Sequence, residues 1–317
     1  MDLAVCDQYK KVKLQVQIHT KELTDYLHSI EHSLQLLEDT NKRKDVTSIL
    51  LEFTKTSQLS LLGDEAKTLD VVLENLLDLR RAKRPLYKRF KIKVGEKIRD
   101  ISVPQKSLEL FLKYYVSPLI DHAKCHAQSH GGEVGCTPKY SIKSILPVEF
   151  VLSFDLKDAY KNIDLQYIFD FYYDLIFEKT KDVEKSKQTA GFLAGVSTVY
   201  YADRGYALPQ GSPICSKLFN RVLLPIDNLL YKYSLEIGLD YVRWVDDFIF
   251  SSSDCGLTLD KFVKTLDIVR NYFPISENKT YFQRKHPVYL LGHKIVGTDI
   301  SEATTEELET RRQINLS

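Results

Sequence analysis

Residues 241–250 read Tyr241-Val242-Arg243-Trp244-Val245-Asp246-Asp247-Phe248-Ile249-Phe250, so two adjacent carboxylates stand between two apolar runs. Each run has the length and the β-branched or aromatic content of a short strand. Aspartate favours turns because its side chain can hydrogen-bond to nearby backbone groups. We therefore predict a tight hairpin with Asp246 and Asp247 at its turn. Taken alone, such a pair is typical of an ordinary turn.

A third carboxylate ends another apolar run. The segment Val151-Leu152-Ser153-Phe154-Asp155 predicts a buried strand that delivers Asp155 to its tip, just before a turn or helix. If this strand pairs beside the predicted hairpin, three carboxylates converge at one sheet end, where they repel one another unless cations are bound. A group of carboxylates that leaves coordination positions open suits Mg²⁺, because this ion takes its remaining ligands from water and substrate phosphates. Two such ions about 4 Å apart would activate a 3′-hydroxyl and stabilise a departing pyrophosphate.

Between these segments lies the loop Leu208-Pro209-Gln210-Gly211-Ser212-Pro213. Ser212 is a good helix N-cap and Pro213 suits the first helical position, so we predict a helix that begins there. Leu218, Val222 and Leu223 continue it. Gly211 would let the backbone come close to a ligand. By itself, the segment is also consistent with a plain capped helix after a loop.

A strongly basic segment precedes both acidic regions. From Arg80 to Lys113 there are twelve Lys or Arg residues against three acidic ones. Residues 87–101 alternate apolar and charged side chains on both sides of Gly95, which predicts a hairpin with one cationic face. Such a face suits a polyphosphate or nucleic-acid backbone. The alternative is a solvated hairpin whose lysines only keep it soluble.

The 317-residue chain has 44% hydrophobic and 27% charged residues and a net charge of +1, which excludes disordered, collagen-like and repeat classes. The global charge provides no argument for nucleic acid, so any such argument rests on local asymmetry. No long apolar run and no signal-peptide pattern occur, so we expect a soluble, cytoplasmic protein without membrane contact. Five cysteines without paired spacing favour reduced thiols.

The N-terminal third is predicted to be helical. Helical spacing relates Leu23, Tyr26, Leu27, Ile30, Leu34 and Leu37, and also Leu69, Val72, Leu73, Leu76 and Leu77. Residues 12–18 alternate in a way that suits a strand or a helix start, and both remain open. From about Val151, strand-like and helix-like runs alternate, which predicts a mixed α/β or α+β domain.

Taken together, these segments resemble the polymerase palm of reverse transcriptases. The resembling motifs, in the family's order, are Phe154-Asp155-Leu156 through Ala159-Tyr160, Leu208-Pro209-Gln210-Gly211-Ser212-Pro213 with Asn220, Val245-Asp246-Asp247, Glu277-Asn278-Lys279-Thr280 and Leu291-Gly292. With Arg99 they span roughly residues 87–292. The resemblance implies an α+β fold, a right-hand palm and fingers with an antiparallel sheet and packed helices.

The resemblance also implies the site residues. The metal ligands would be Asp155, Asp246 and Asp247, with the Leu156 carbonyl as an extra ligand, holding two Mg²⁺ ions for which Mn²⁺ can substitute. Lys279 resembles the catalytic lysine beside the leaving pyrophosphate.

Nucleotide contacts follow in the same way. Tyr160 resembles the aromatic gate against a ribose 2′-hydroxyl, Gln210 and Gly211 would line the nucleotide and template, and Arg99 with Lys91 or Lys93 would hold the triphosphate. Leu291-Gly292 resembles the primer-grip turn.

The departures from the family shape the remaining expectations. Trp244-Val245 replaces the usual Tyr-x pair, and the Asn-Ala-x-x-His and Val-Thr-Gly segments typical of retron enzymes are missing. Only 25 residues follow Gly292, which is room for about two short helices and not for a helical thumb. The pattern is most similar to defence-associated and abortive-infection reverse transcriptases, with retron enzymes second.

We therefore expect four regions: a helical N-terminal region (1–84), fingers (85–150), a palm with inserted fingers helices (151–292) and a primer-grip end with a thumb remnant (293–317). The expected function is RNA-templated DNA synthesis on a primer 3′-hydroxyl from dNTPs in bacterial anti-phage defence. The expected partners are a noncoding RNA template, the DNA product, and a second copy or second protein that replaces the thumb. The alternatives are an RNA-binding assembly component of a multi-polymerase defence complex, a retron-type or template-independent DNA polymerase, and an RNA-dependent RNA polymerase, which Tyr160 disfavours.

Overall fold

The computed structural model describes residues 34–54, 65–94, 97–253, 259–283 and 287–308. Its α-helices are α1 (Thr40–Thr54), α2 (Glu65–Arg81), α3 (Lys106–Phe111), α4 (Ser117–Asp121), α5 (Pro138–Lys143), α6 (Leu165–Thr180), α7 (Val183–Val196), α8 (Cys215–Val222), α9 (Leu224–Ile237) and α10 (Leu259–Arg270). Its strands are β1 (Tyr87–Val94), β2 (Lys97–Pro104), β3 (Phe150–Asp155), β4 (Val199–Tyr201), β5 (Gly205–Ala207), β6 (Asp240–Trp244), β7 (Asp247–Ser252), β8 (Tyr281–Gln283), β9 (Val288–Leu290), β10 (His293–Val296) and β11 (Asp299–Glu302). The mixture of helices and antiparallel sheets confirms the α+β prediction.

The chain forms two compact units, each built from separate stretches of sequence. The first unit draws on residues 1–123 and 163–215, and the second on residues 124–162 and 216–317. The predicted division into four regions stays a prediction. Within the part of the chain that the structure describes, no helix has both the length and the apolar character needed to cross a bilayer.

In the first unit, α1 and α2 bury one face each, and for α2 the spacing in the sequence predicts this. The buried side chains of α2 include Leu69, Val72, Leu73, Leu76 and Leu77, each at most 6% exposed. Leu34 and Leu37 are also buried. The predicted helix positions at residues 23–30 and the open assignment of residues 12–18 lie outside the described residues.

The basic hairpin forms as predicted, but the prediction that its cationic residues share a single face is wrong. Strands β1 and β2 are antiparallel partners, with Ile92 opposite Arg99 and Lys91 opposite Asp100. Opposite residues share a face and successive residues alternate. Arg99 therefore lies on the face of Ile92, while Lys91 and Lys93 lie on the other. The alternation along each strand does not show that Arg99 and the two lysines lie on opposite faces. The register between the strands determines which residues of β1 and β2 share a face.

The second unit is built on a four-stranded antiparallel sheet in the order β6-β7-β3-β8. Strand β3 lies in the middle and all six of its residues are buried, which explains its apolar run without alternation. At the β6 edge, residues 128–130 run alongside the strand. The Arg243 amide donates to the Gln128 carbonyl (2.8 Å) and the His130 amide donates to the Arg243 carbonyl (2.9 Å).

The two faces of this sheet carry different side chains. On one face, the Phe154 ring stacks on Phe248 (centroids 5.2 Å apart) and on Phe250 (6.0 Å). On the other face, a buried cluster joins the sheet to the small sheet β11-β10-β9. Its members are Ile142, Ile145, Val148, Val151, Val242, Ile249, Tyr281, Val288, Leu290 and Ile295. The sheet is thus held by apolar contacts on both sides.

Two local predictions are corrected. The helix after the loop begins at Cys215, so Pro213 precedes it and does not occupy its first position; the Cys215 amide donates to the Ser212 carbonyl (3.2 Å) in a turn. Residues 293–302 form strands β10 and β11, where the sequence length left room for helices. Leu291 and Gly292 do form a turn, between β9 and β10, with φ of 49° and 77°. Positive φ at both central residues is typical of tight hairpin turns.

Candidate active site

Asp155 and Asp247 are direct cross-strand partners in the sheet of the second unit. Strand β3 ends at Asp155 and β7 begins at Asp247, and the register places the two residues opposite each other. Opposite residues of antiparallel strands have Cα atoms about 4.5–5.5 Å apart and side chains on the same face. The two carboxylates therefore share one end and one face of the sheet, as the sequence predicts.

The third carboxylate lies in the adjoining turn. Trp244 pairs with Asp247, so the turn residues are Val245 and Asp246, one position earlier than predicted. The Leu156 amide donates to the Asp246 carbonyl (3.2 Å), which ties the turn to the end of β3. All three aspartates are thus brought to one end of the sheet.

Val245 holds this turn in an unusual backbone conformation. Its φ is +55°, a region that β-branched residues rarely adopt. Backbone strain of this kind costs of order 1–3 kcal/mol and persists only where surrounding contacts hold it. The peptide before Asp246 is therefore held by its neighbours and not by its own preference.

The Asp155 carboxylate has two very different oxygens. Its side chain is 3% exposed, and the Lys279 ammonium pairs with Oδ2. Oδ1 is buried without a hydrogen-bond partner among the described residues. A buried carboxylate oxygen without a partner is costly, so Oδ1 is suited to a ligand that the protein itself does not provide.

Backbone hydrogen bonds place Lys279 beside Asp155. The Ser276 amide donates to the Asp155 carbonyl (2.8 Å) and the Lys157 amide donates to the Pro274 carbonyl (2.9 Å). Neither bond uses the carbonyl of Leu156, the predicted extra metal ligand. A 3₁₀ turn, Glu277–Lys279, follows directly. The position of the ammonium is therefore determined by the end of β3.

The donor set fits a hard divalent cation. Across the described ranges, no three His, Cys, Asp or Glu side chains are grouped closely enough to hold a metal ion by themselves. Mg²⁺ is commonly held by one or two carboxylates, with water and substrate oxygens completing the coordination. Carboxylates at one sheet end, together with the unpartnered Oδ1 of Asp155, match that open kind of site.

Tyr160 lies in a 3₁₀ turn, Ala159–Asn162, five residues after Asp155. Its hydroxyl and the Ser216 hydroxyl share a hydrogen bond (3.0 Å), and its ring packs on Phe219 with centroids 5.4 Å apart. The side chain is half-buried. These contacts hold the ring in one position, as a steric gate requires.

The remaining predicted site residues belong to the first unit. Arg99, Lys91 and Lys93 are exposed on the hairpin, on the two faces already described. The Gln210 carbonyl accepts from the Ser102 amide (2.8 Å), which fastens the loop to β2. Gly211 has φ +111°, and a Cβ there would lie 2.9 Å from Ile101 Cγ2 and 3.1 Å from the Ser102 carbonyl oxygen. The backbone at Gly211 therefore lies close against strand β2.

Sequence reasoning missed the residues behind the Val245 turn. Arg243 and Asp227 are fully buried and form an ion pair (2.6 Å), and Arg243 Nη1 donates to the Val245 carbonyl (2.6 Å). A Cβ on Gly131 would lie 2.5 Å from the Val245 amide nitrogen. The available signal was a lone arginine within an apolar strand, since a buried charge requires partners.

Comparison with known proteins adds the family. A protein-family model described as "Reverse transcriptase (RNA-dependent DNA polymerase)" matches residues 91–295. The chain is 22% identical over 179 residues to the Retron Ec86 reverse transcriptase of Escherichia coli, covering 56% of this chain and 51% of that protein. It is 23% identical over 163 residues to the Retron Mx162 reverse transcriptase of Myxococcus xanthus, covering 48% and 33%. The chain thus spans about half or less of these relatives' length.

Among solved structures, the chain is similar to telomerase from Candida tropicalis in complex with a TWJ fragment of telomeric RNA. The TM-score is 0.50 at 14% identity, with 69% of this chain and 45% of that chain covered. Apo telomerase from the same organism, truncated from the C-terminal domain, gives a TM-score of 0.48 at 16% identity, covering 68% and 55%. At these identities the likeness of the first structure concerns the fold alone.

The contact between Gly211 and β2 gives a first prediction. We expect Gly211→Ala to destabilise the chain by roughly 2–4 kcal/mol, because the methyl group adds overpacking to the strain of positive φ. The control is Gly205→Ala in the same unit, where φ is +78° and nothing lies within 4 Å of the added Cβ. Urea unfolding gives the stabilities, and hydrogen exchange at the Ser102 amide reports the local contact. Equal losses in both variants would contradict the packing role.

Proposed function

The chain belongs to the reverse transcriptase (RNA-dependent DNA polymerase) family, and on this basis we propose that it extends a primer 3′-hydroxyl with deoxynucleotides on an RNA template. One observation supports the proposal above the others. Asp155 and Asp247 are cross-strand partners at a sheet end, and Asp246 lies in the adjoining turn. Nucleotidyl transfer uses clustered carboxylates of this kind to bind divalent cations, because the cations stabilise the negative charge that accumulates on the reacting phosphate.

Asp155, Asp246 and Asp247, with the Leu156 carbonyl, would hold two Mg²⁺ ions, or Mn²⁺ in their place. When bound, the ions supply activation of the 3′-hydroxyl and stabilisation of the departing pyrophosphate. The buried Oδ1 of Asp155, which has no partner in the described part of the protein, supports this assignment. The protein's contribution is to present oxygen ligands from a rigid sheet end.

Lys279 would neutralise charge that develops on the leaving pyrophosphate, or donate a proton to it. Its ammonium pairs with Oδ2 of Asp155, so a positive charge is present beside the carboxylates. A fixed cation in a partly buried site stabilises a developing oxyanion more than a cation in water does. The backbone bonds between residues 155–157 and 274–276 hold it there.

Tyr160 would select deoxynucleotides by occupying the space of a ribose 2′-hydroxyl. The hydrogen bond to Ser216 and the contact with Phe219 support a fixed ring. In the first unit, the exposed basic residues of the hairpin suit phosphate groups, with Arg99 on one face and Lys91 and Lys93 on the other. Since these faces differ, we assign them to separate phosphate contacts.

We predict that replacing both Asp246 and Asp247 with Asn abolishes primer extension. The substitution keeps the size of each side chain but replaces one acceptor oxygen with a donating amide and removes the charges that would bind the cations. The assay measures the incorporation of dNTPs into a primer annealed to an RNA template in the presence of Mg²⁺. The matched control is Asp299→Asn, an exposed aspartate at the start of β11. A double variant that still extends primers would refute the proposed function.

A further prediction concerns sugar selection. Tyr160→Ala should admit ribonucleotides, because the ring that excludes the 2′-hydroxyl is gone. Tyr160→Phe keeps the ring and removes the hydroxyl that shares a hydrogen bond with Ser216, so it should retain discrimination. Primer extension with rNTPs and dNTPs measures the ratio of kcat/KM values. Unchanged discrimination in the alanine variant would rule out the gate.

We further propose that the template is a dedicated noncoding RNA and that synthesis serves anti-phage defence. The motif pattern, most similar to defence-associated reverse transcriptases, supports this choice. Chain purified from its native host should therefore carry one dominant RNA, with complementary DNA in the wild type and none in the Asp246→Asn, Asp247→Asn double variant. Sequencing the copurified nucleic acid makes the test. A heterogeneous RNA mixture in proportion to cellular abundance would contradict a dedicated template.

A further inference from the structure

A buried arginine lies directly beneath the turn that carries Asp246. Arg243 is 0% exposed and is paired across the sheet with Phe248, whereas Trp244 is paired with Asp247. Because successive residues alternate between faces, Arg243 lies on the opposite face of the sheet from Asp247 and Asp155. Its guanidinium is therefore separated from the carboxylates by the sheet itself.

All five donor hydrogens of Arg243 are used on that face. Nε donates to Asp227 Oδ1 (2.7 Å), and Nη2 donates to Asp227 Oδ2 (2.6 Å) and to the Ser129 hydroxyl (2.7 Å). Nη1 donates to Asn220 Oδ1 (2.9 Å) and to the Val245 carbonyl (2.6 Å). A guanidinium has five donors in a rigid planar fork, so this site satisfies its full capacity. Lysine, with three donors and no fork, could not make the same set.

The Arg243 guanidinium remains charged although it is buried. Burial by itself lowers the pKa of Arg243, but the charge of Asp227 and the hydrogen bonds to it outweigh this, so the pKa lies above its ordinary value. Tyr241 adds a further bond from its hydroxyl to Asp227 Oδ1 (2.6 Å). The bidentate geometry is the strong form of an ion pair. The network is thus a rigid anchor between helices α8 and α9, strand β6 and residue 129.

Only one bond of this anchor reaches the turn, and it reaches the strained residue. The Val245 carbonyl accepts from Nη1, while Gly131 lies so close that an added Cβ would be 2.5 Å from the Val245 nitrogen and 2.6 Å from its Cγ2. The Gly131 carbonyl in turn accepts from Asn220 Nδ2 (2.7 Å), so Asn220 connects both contacts. Val245 is held between the arginine and the glycine, and Asp246 follows it directly.

We propose that Arg243 is a positioning residue for the proposed polymerase reaction: anchored by Asp227, it holds the strained Val245 peptide against Gly131 so that Asp246 and Asp247 are prearranged opposite Asp155 for the divalent cations. This inference rests on the proposed function. The ion pair between Arg243 and Asp227 would then contribute to cation binding as well as to stability. It would act only through Val245, since Arg243 lies on the opposite face of the sheet from Asp247 and Asp155.

The test uses cation affinity in the full chain. The chain has a single tryptophan, Trp244, which adjoins the turn, so Mn²⁺ quenching of its fluorescence reports binding at this position. We expect Arg243→Lys and Gly131→Ala to weaken Mn²⁺ affinity by about 10–100-fold, the range found for residues that orient metal ligands. In primer extension, kcat should fall by a similar factor while the KM for dNTP stays unchanged. A merely structural role would lower thermal stability and leave the affinity of the folded protein intact.

Arg43→Lys is the matched control, because it makes the same substitution in an ion pair that shares no residue with the anchor. Arg43 belongs to the first unit, where it pairs with Glu74 (2.6 Å) and donates to the Asp70 carbonyl (2.8 Å). This variant should lose stability without losing Mn²⁺ affinity. If Arg243→Lys does not fold, the Mn²⁺ affinity of Gly131→Ala tests the inference. This variant keeps the ion pair, and its added methyl group displaces the Val245 backbone. Wild-type Mn²⁺ affinity in the folded Gly131→Ala variant would overturn the inference.

The readout also separates this inference from the proposed function. A wild-type chain that binds Mn²⁺ through Asp246 but extends no primer would overturn the proposed function, and weakened binding in the two variants would still support the anchor. A wild-type chain that extends primers while both folded variants bind Mn²⁺ normally would overturn the anchor alone.

Discussion

Two like charges held side by side at the end of a buried sheet are the constraint on which the second unit depends. Asp155 and Asp247 are opposite each other because β3 and β7 pair in one register, and that register is determined by the phenylalanines behind them. Carboxylates so placed repel one another and resist desolvation. The Lys279 ammonium on one Asp155 oxygen relieves part of this cost within the protein itself.

The sheet separates two tasks by its faces. The face with Phe154, Phe248 and Arg243 provides packing and a closed hydrogen-bond network, and it contacts helices α8 and α9 through Asn220 and Asp227. The other face carries the carboxylates at its end. A rigid support on one side of the sheet helps to hold the carboxylates on the other side in place.

Local patterns predicted the features that depend on neighbours in sequence. These are the strand ending at Asp155, the hairpin formed by β6 and β7, the basic hairpin and the apolar face of α2. Features set by pairing between distant segments were missed or wrong. Lys91 and Arg99 separate onto two faces because of the register of β1 and β2, which alternation cannot reveal. The partners of Arg243 come from helices and a loop that lie 16 to 114 residues away in sequence, so the strand pattern marked the residue only as an anomaly.

The segment 128–130 that runs beside β6 has a consequence for solubility. Strand β6 is the outermost strand of its sheet, and an uncovered edge would offer a row of amides and carbonyls to another chain. The hydrogen bonds to Gln128 and His130 occupy the backbone groups of Arg243 at this edge. The opposite edge strand, β8, has three residues within the described part of the chain. Both borders of the sheet are therefore poor templates for strand-to-strand aggregation.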